Sequence, residues 1–170
     1  MLVVRAVLHF LRVRLNAPKP YLRADGRGHA AVEVDLQVDL FEWLESGALT
    51  EGLRIYEPQR VGGGRADIAV VLRDHQVVIE TKRETADSSR EAMQRTYAEQ
   101  AGSYDAASYP FGIVAILDVS NEPPSTPRLD QCVWVHCHED AGGSRWLVFV
   151  RVPGRLSPPS SHTRRAKTGS

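Results

Sequence analysis

The stretch "GGGRADIAVVLRDHQVVIETKRE", from Gly62 to Glu84, decides the fold. It contains two apolar runs, 66–72 and 77–82, on either side of a short polar segment, which is typical of a β-hairpin. Asp67 stands near the start of the first run, and Glu80 and Lys82 stand at the end of the second. The open end of the hairpin therefore carries two carboxylates and an amine.

The strand pairing decides whether these three side chains meet. Residues two apart in a strand share a face, so Glu80 and Lys82 point the same way. If Leu72 faces Val77, Asp67 faces Lys82, and if the register is tighter by two residues, Asp67 faces Glu80. Both registers place the three polar side chains on one face, whereas the register between them points Asp67 away from the other two.

Two neighbouring carboxylates repel each other unless a cation compensates their charge. Mg²⁺ typically binds one or two carboxylates together with waters and substrate phosphate. A lysine such as Lys82 beside them can bind a phosphate oxygen or polarise an attacking water. The pattern favours metal-assisted phosphodiester hydrolysis. The alternative is an Asp at a strand start and an ordinary Glu–Lys pair at a strand end, and these three residues alone do not separate the two interpretations.

Asp67, twelve intervening residues and then Glu80-Thr81-Lys82 resemble the signature of the PD-(D/E)XK nucleases, which lies on a strand–turn–strand. "GGGRA" precedes Asp67 here, where that family often has proline. The resemblance implies that Asp67 and Glu80 bind Mg²⁺, or Mn²⁺ in its place, with the Thr81 carbonyl as a third ligand. It also implies that Lys82 positions the attacking water or neutralises charge on the phosphate.

The helix predicted after Lys82 strengthens this resemblance. Met93, Tyr97, Gln100 and Tyr104 recur at helical spacing, so Gln100 is expected on an inward-looking stripe. The string "QAGSY" resembles the Gln-x-x-x-Tyr motif of RecB-like members of the superfamily. In that motif the Gln reaches the catalytic lysine or the nucleic-acid backbone, and Gln100 and Tyr104 become candidate nucleic-acid contacts. The alternative is a surface Gln beside core tyrosines.

The preceding helix supplies the acidic residue of the family's first motif. Glu33 matches that motif best and is implied to complete the metal site, while Asp35, Asp39 and Glu42 remain competitors. A favourable position at a helix N-terminus is the alternative explanation for Glu33.

Two arginines flank the signature. Arg65 precedes Asp67 and Arg83 follows Lys82, so both are candidates for binding phosphates. An arginine at a strand end is otherwise usually solvated.

The resemblance covers about residues 30–120 and implies an α/β, restriction-endonuclease-like fold. Its α-β-β-β-α-β core has a mixed sheet flanked by helices. We expect a C-terminal β-hairpin in addition, from "DQCVWVHCHED" and "SRWLVFVRV". The predicted helices are 2–15, about 30–45 (ended by Ser46-Gly47), and one within 85–108 with Ser88 and Glu91 as a capping box; the other predicted strands are 53–59 and the buried run "FGIVAILDVS".

The chain is predicted to have three parts: a basic N-terminal helix and loop (1–25), a nuclease-like domain (26–152) and a disordered basic tail (153–170). The 170 residues have no net charge, but residues 1–23 and 151–170 each hold five basic residues and no acidic one. Basic ends around an acidic centre suit a nucleic-acid enzyme, although charge alone does not separate this from an ordinary solvated surface.

The composition favours a cytoplasmic protein. Arg5 and Arg12 interrupt the apolar N-terminus, so we expect no secretion signal. Apolar runs are too short for a membrane helix, and two cysteines do not suggest a disulfide framework.

The sequence thus predicts a metal-dependent nuclease that hydrolyses phosphodiester bonds in nucleic acid, with DNA as the expected substrate. The alternative is a catalytically inactive module of the same fold that binds nucleic acid or assembles into a larger defence or repair system. A homodimer or a larger complex is compatible with either.

Overall fold

The structure is a computed structural model that describes residues 2–16, 32–48, 53–56, 67–72, 75–102, 110–120, 127–140 and 143–154. Its helices are α1 (Leu2–Leu15), α2 (Glu33–Trp43), α3 (Arg90–Gly102) and the single turn α4 (Leu129–Cys132), with a π-helical turn at Leu44–Ala48. Its strands are β1 (Leu53–Tyr56), β2 (Ile68–Leu72), β3 (His75–Glu84), β4 (Phe111–Asp118), β5 (Val133–Asp140) and β6 (Gly143–Pro153). Over the ranges described, no helix is long and apolar enough to span a membrane.

The six strands form one mixed sheet in the order β1-β2-β3-β4-β6-β5. The first three strands are antiparallel, β4 is parallel to both β3 and β6, and β5 is antiparallel to β6. Residues 113–117 of β4 are all buried, which explains why this central strand is continuously apolar. The expected α/β architecture with a mixed sheet between helices is confirmed.

Helices cover both faces of the sheet. The apolar side chains of α1 and α2 pack in one core cluster with alternate residues of the strands, whereas α3 packs in a second cluster on the opposite face. Leu36, Leu40 and Leu44 recur every four residues and are at most 1% exposed, as expected for the buried stripe of a helix. The predicted α1 is confirmed with both of its ends.

Two predicted helix boundaries differ from the structure. Ser46-Gly47 does not end α2 directly, because the chain continues there as the π-helical turn. The predicted capping box of Ser88 and Glu91 is wrong: Ser89 Oγ accepts the Ala92 amide at 3.3 Å, and α3 begins at Arg90. Ser88 lies one residue too early and is buried. Residues 103–108 of the predicted helix lie outside the described residues.

The C-terminal hairpin is confirmed and belongs to the main sheet. β5 pairs with β6 from Val133↔Val150 to Asp140↔Gly143, and β6 also pairs with β4. β5 begins only at Val133 because residues 129–132 form the helical turn α4. The hairpin therefore covers the edge that β4 would otherwise expose.

The end of β6 corrects the predicted start of the disordered tail. β6 includes Pro153, and the amide of the buried Gly154 donates to the Asp118 carbonyl at 2.7 Å. The prediction is therefore wrong for residues 153 and 154. The remainder of the predicted tail, 155–170, and residues 57–59 of the first predicted strand lie outside the described residues.

Replacing Gly154 by Ala tests this docking. A Cβ atom there would lie 2.6 Å from Val119 Cγ1 and 2.8 Å from the Asp118 carbonyl oxygen, which the backbone holds in place. We expect Gly154→Ala to lower the free energy of unfolding by about 1–3 kcal/mol in urea denaturation. The control Ser144→Ala, at an exposed position on the same strand, should stay within about 0.5 kcal/mol of wild type. An equally small change for Gly154→Ala would contradict the docking of residue 154.

Candidate functional site

The β2–β3 pairing places the predicted site at a free strand edge. The register runs from Ile68↔Ile79 to Leu72↔His75, which is the tighter of the two registers expected from the sequence. β3 has ten residues and β2 has five, so β3 continues as residues 80–84 beyond the first paired residue of β2. We call residues 80–84 the overhang. No described strand pairs with the overhang on the side opposite β4.

The backbone groups of the overhang alternate between its two sides. In a strand, the N–H and C=O of one residue point to the same side, and successive residues point to opposite sides. The Glu84 carbonyl accepts the Val119 amide at 2.9 Å just beyond the end of β4. The backbone N–H and C=O of Glu84 therefore point to the β4 side. Thr81 and Arg83 therefore direct their amides and carbonyls to the open side.

Asp67 binds this open side. Its Oδ2 atom accepts both the Thr81 amide and the Thr81 hydroxyl at 2.7 Å. The sequence predicted that the Asp67 carboxylate shares a face with Glu80 and Lys82. In the structure this carboxylate instead binds Thr81. Asp67 precedes the first paired residue of β2, so the alternation of the strand does not direct its side chain.

Glu33, the first residue of α2, approaches the same open side. Its carboxylate lies near the Arg83 amide and within electrostatic range of Asp67 and Lys82. Burial raises the pKa of Glu33 above its ordinary value; the Lys82 ammonium lowers it, the Asp67 carboxylate raises it, and the Arg83 amide lowers it. Two carboxylates therefore approach each other at the open side, and one of them is disfavoured in its charged form.

The three competitors of Glu33 have other positions. Asp35 Oδ2 accepts the Val32 amide at 2.8 Å and thereby stabilises the first turn of α2. Asp39 pairs with Arg14 of α1, and Glu42 is exposed. Glu33, by contrast, lies within electrostatic range of both Asp67 and Lys82.

Glu80 and Lys82 form a second group, on the face of the sheet that α3 covers. Lys82 Nζ lies 2.7 Å from Glu80 Oε1, and the two side chains are 12% and 4% exposed. Gln100 Nε2 of α3 donates to the same oxygen at 3.3 Å. Gln100 as a whole is exposed, so the prediction of a buried amide is wrong, although its side chain does reach the signature.

Of the other predicted nucleic-acid contacts, only Arg83 lies among the described residues. Arg83 is half-buried, and its Nε atom is buried without a hydrogen bond to any described residue. Arg65 and Tyr104 lie outside the described residues.

Glu84 and Tyr97 belong to the same neighbourhood but were not predicted as site residues. Glu84 Oε1 accepts the amides of residues 85–87 at 2.7–3.2 Å, while the Tyr97 hydroxyl lies 3.0 Å from Glu84 Oε2 and 3.1 Å from the Arg83 carbonyl oxygen. Burial, followed by the Glu84 carboxylate, raises the pKa of Tyr97, which therefore stays a protonated donor. Every second residue of a strand shares a face, so Glu84 could have been predicted beside Glu80 and Lys82. Tyr97 lies three residues before Gln100 and could have been predicted on the same face of the helix.

The oxygen donors at the open side fit a hydrated Mg²⁺ ion. The described side-chain hydrogen bonds of Asp67 use Oδ2, the Thr81 carbonyl points to the same side, and Glu33 lies within electrostatic range of Asp67. Mg²⁺ commonly binds one or two carboxylates and keeps several waters. Among the described residues, no group of three or more His, Cys, Asp or Glu side chains is arranged to hold a metal.

The chain matches neither any model of a known protein family nor any curated protein sequence in the comparisons made. Interpretation of the site therefore rests on its residues and their geometry. The Asp67 and Glu33 carboxylates at the open side lie beside the nearly buried Lys82–Glu80 pair. Lys82 joins the two groups, because it is paired with Glu80 and also affects Glu33.

The raised pKa of Glu33 predicts a pH-dependent effect of Glu33→Gln. The folded-state pKa lies above the unfolded-state value, so wild type loses stability as the pH rises through the raised pKa. Gln keeps the acceptor oxygen without the charge and avoids this loss. In EDTA, we expect the variant to melt higher than wild type at about pH 8, and the difference to shrink towards about pH 4. Glu42→Gln, on the same helix, serves as the exposed control, and a pH-independent difference for Glu33→Gln would contradict the assignment.

Proposed function

We propose that this protein is a Mg²⁺-dependent nuclease of the PD-(D/E)XK type that hydrolyses phosphodiester bonds in DNA. The observation that carries the proposal is the nearly buried Lys82–Glu80 pair at the overhang, adjoining the Asp67 and Glu33 carboxylates. The order of elements from α2 to β4 is helix, three strands, helix and strand, with β1–β3 antiparallel and β4 parallel to β3. This order supports the restriction-endonuclease-like fold that the sequence resemblance implies.

Asp67, Glu33 and the Thr81 carbonyl are the groups that would hold the metal at the open side. Thr81 orients Asp67 by donating two hydrogen bonds to one carboxylate oxygen. The nearby Arg83 amide favours the charged form of Glu33. A bound Mg²⁺ supplies Lewis acidity and lowers the pKa of a bound water.

Lys82 is the group that would meet the phosphate or the attacking water. Its ammonium is mostly removed from solvent, so its attraction for developing negative charge is stronger than that of an exposed lysine. Glu80 holds the ammonium in place, and Gln100 restricts Glu80 by binding the same oxygen. The half-buried Arg83 lies next to Glu33 and is suited to a neighbouring phosphate.

A second candidate function is a nucleic-acid-binding or assembly module of the same fold without cleavage. The contacts of Glu80 favour it, because Oε1 already binds both Lys82 and Gln100. In this case the Lys82–Glu80 pair is structural, and Lys82 meets neither a phosphate under attack nor an attacking water. The two candidates differ in metal binding and in turnover.

Cleavage by Lys82→Gln is the direct test of the nuclease. Gln can still donate to Glu80 but carries no charge, so we expect the rate to fall by at least about 100-fold with Mg²⁺ or Mn²⁺. Linear double-stranded DNA, single-stranded DNA and RNA should be compared as substrates by gel electrophoresis. Lys82→Ala is less suitable, because removing one partner of a buried pair costs about 3–5 kcal/mol and endangers the fold.

Two further variants complete the cleavage test. Asp67→Asn should lose activity to a similar extent, whereas Glu91→Gln, an exposed carboxylate of α3, should cleave as wild type does. Circular dichroism should show that all variants are folded. Wild-type rates for Lys82→Gln and Asp67→Asn would refute the assigned roles.

Metal titration separates the two candidate functions. For the nuclease, calorimetry should detect Mn²⁺ binding to wild type, and the binding should weaken at least about tenfold in Asp67→Asn, because a carboxylate ligand becomes a neutral amide. Glu91→Gln is again the matched control. Salt-sensitive DNA binding without metal binding or cleavage would favour the inactive module.

A further inference from the structure

A groove along α1 lies apart from the candidate site. It has a volume of about 570 Å³ and is lined by α1 together with Leu129 of α4. Its polar lining consists of Arg5, His9 and Arg12, all of them exposed. The remaining lining residues are apolar, and none of the described lining residues is acidic.

The three basic residues form a single stripe. Their spacing of four and three residues places them on one face of the helix, over about 10 Å of its length. Among the described residues, Arg14 pairs with Asp39 and Arg128 with Asp130, while Arg5 and Arg12 form no ion pair with a described residue. The stripe therefore presents positive charge that its described surroundings do not neutralise.

The opposite face of α1 holds the stripe in place. Val3, Val7 and Phe10 are at most 3% exposed and pack in the core. Trp43 Nε1 donates to the Ala6 carbonyl at 3.1 Å, and the Trp43 ring meets the His9 ring edge to face at 5.2 Å between centroids. The positive side chains therefore project from a helix that is fixed on the body of the protein.

The stripe also has a defined direction relative to the candidate site. Ala6 contacts Trp43 at the end of α2, whereas Arg14 contacts Asp39 nearer its beginning, so the two helices run in opposite directions. Glu33 lies at the beginning of α2, about 15 Å from Trp43 along the helix axis. The Arg12 end of the stripe is thus the end nearer to Glu33.

We propose that the groove along α1 binds the phosphate backbone of duplex DNA outside the cleavage site. This inference rests on the proposed function, because the DNA would be its substrate. Each strand of a duplex carries one phosphate per 3.4 Å of axis, so Arg5 and Arg12, about 10 Å apart along the helix axis, match phosphates three steps apart on one strand. None of the described lining residues is Phe, Tyr or Trp, the rings on which single-strand binders stack bases.

Charge also argues against occupation by the end of this chain. Residues 155–170 include Arg155, Arg164, Arg165 and Lys167 and no acidic residue. That segment would be repelled by the arginines of the groove, whereas a polyanion would be attracted.

The salt dependence of DNA binding tests the proposal without requiring cleavage. A fluorescent 20-base-pair duplex is titrated in EDTA at several KCl concentrations, using the full chain and the double variant Arg5→Gln/Arg12→Gln. Each lost phosphate contact reduces the slope of log K against log[salt] by about 0.9, so we expect the double variant to lose about 2 units of slope. Both arginines are exposed, so the variant should keep the melting temperature of wild type.

Arg95→Gln is the matched control, since Arg95 is an exposed arginine on α3, across the sheet from α1. It should keep the wild-type slope. An unchanged slope in the double variant, an equal loss in the control, or no binding of the duplex by wild type would each overturn the proposal.

The outcomes for the groove and for the nuclease are distinguishable. Metal-dependent cleavage that is lost in Lys82→Gln, together with an unchanged slope in the double variant, would refute the groove and leave the nuclease standing. A slope that depends on Arg5 and Arg12, without metal-dependent cleavage, would support the groove and refute the nuclease.

Discussion

The pair of hydrogen bonds from Thr81 to Asp67 is the contact on which the candidate site depends. β3 extends beyond β2, so the backbone groups of Thr81 and Arg83 have no described strand to bind on the open side. Buried amides require acceptors. Asp67 accepts the Thr81 amide and Glu33 lies near the Arg83 amide, so unequal strand lengths bring two carboxylates to the same side of β3. This arrangement is independent of whether a metal is bound.

The charges around the overhang compensate one another in different ways on its two sides. On the α3 side, Lys82 and Gln100 bind Glu80, and backbone amides together with Tyr97 bind Glu84. On the open side, Asp67 and Glu33 approach each other, and the Lys82 ammonium is the cation that affects Glu33. Asp67 and Glu33 are therefore the two carboxylates that the proposed divalent cation would bind.

The sheet relates this site to the rest of the chain. β4 is buried on both faces because α1 and α2 cover one face and α3 the other. The hairpin of β5 and β6 extends the sheet past β4, and residue 154 docks on Asp118 at the end of that strand pair. α1 packs in the same core as α2, so its basic stripe keeps a fixed position relative to the site. The basic stripe of α1 and the candidate site are thus held in place by the same core.

The sequence by itself determined the elements whose patterns are local: α1, the leucine repeat of α2, the hairpin around the signature, the buried β4 and the final hairpin. Helical and strand periodicity record which face of a segment is buried, so these predictions succeeded. The tertiary structure alone decided that Glu33 rather than Asp39 or Glu42 approaches Asp67, and that Asp67 turns to Thr81. It also placed β6 beside β4. Each of these outcomes depends on how distant segments pack, and periodicity along one segment contains no information about the position of its partners.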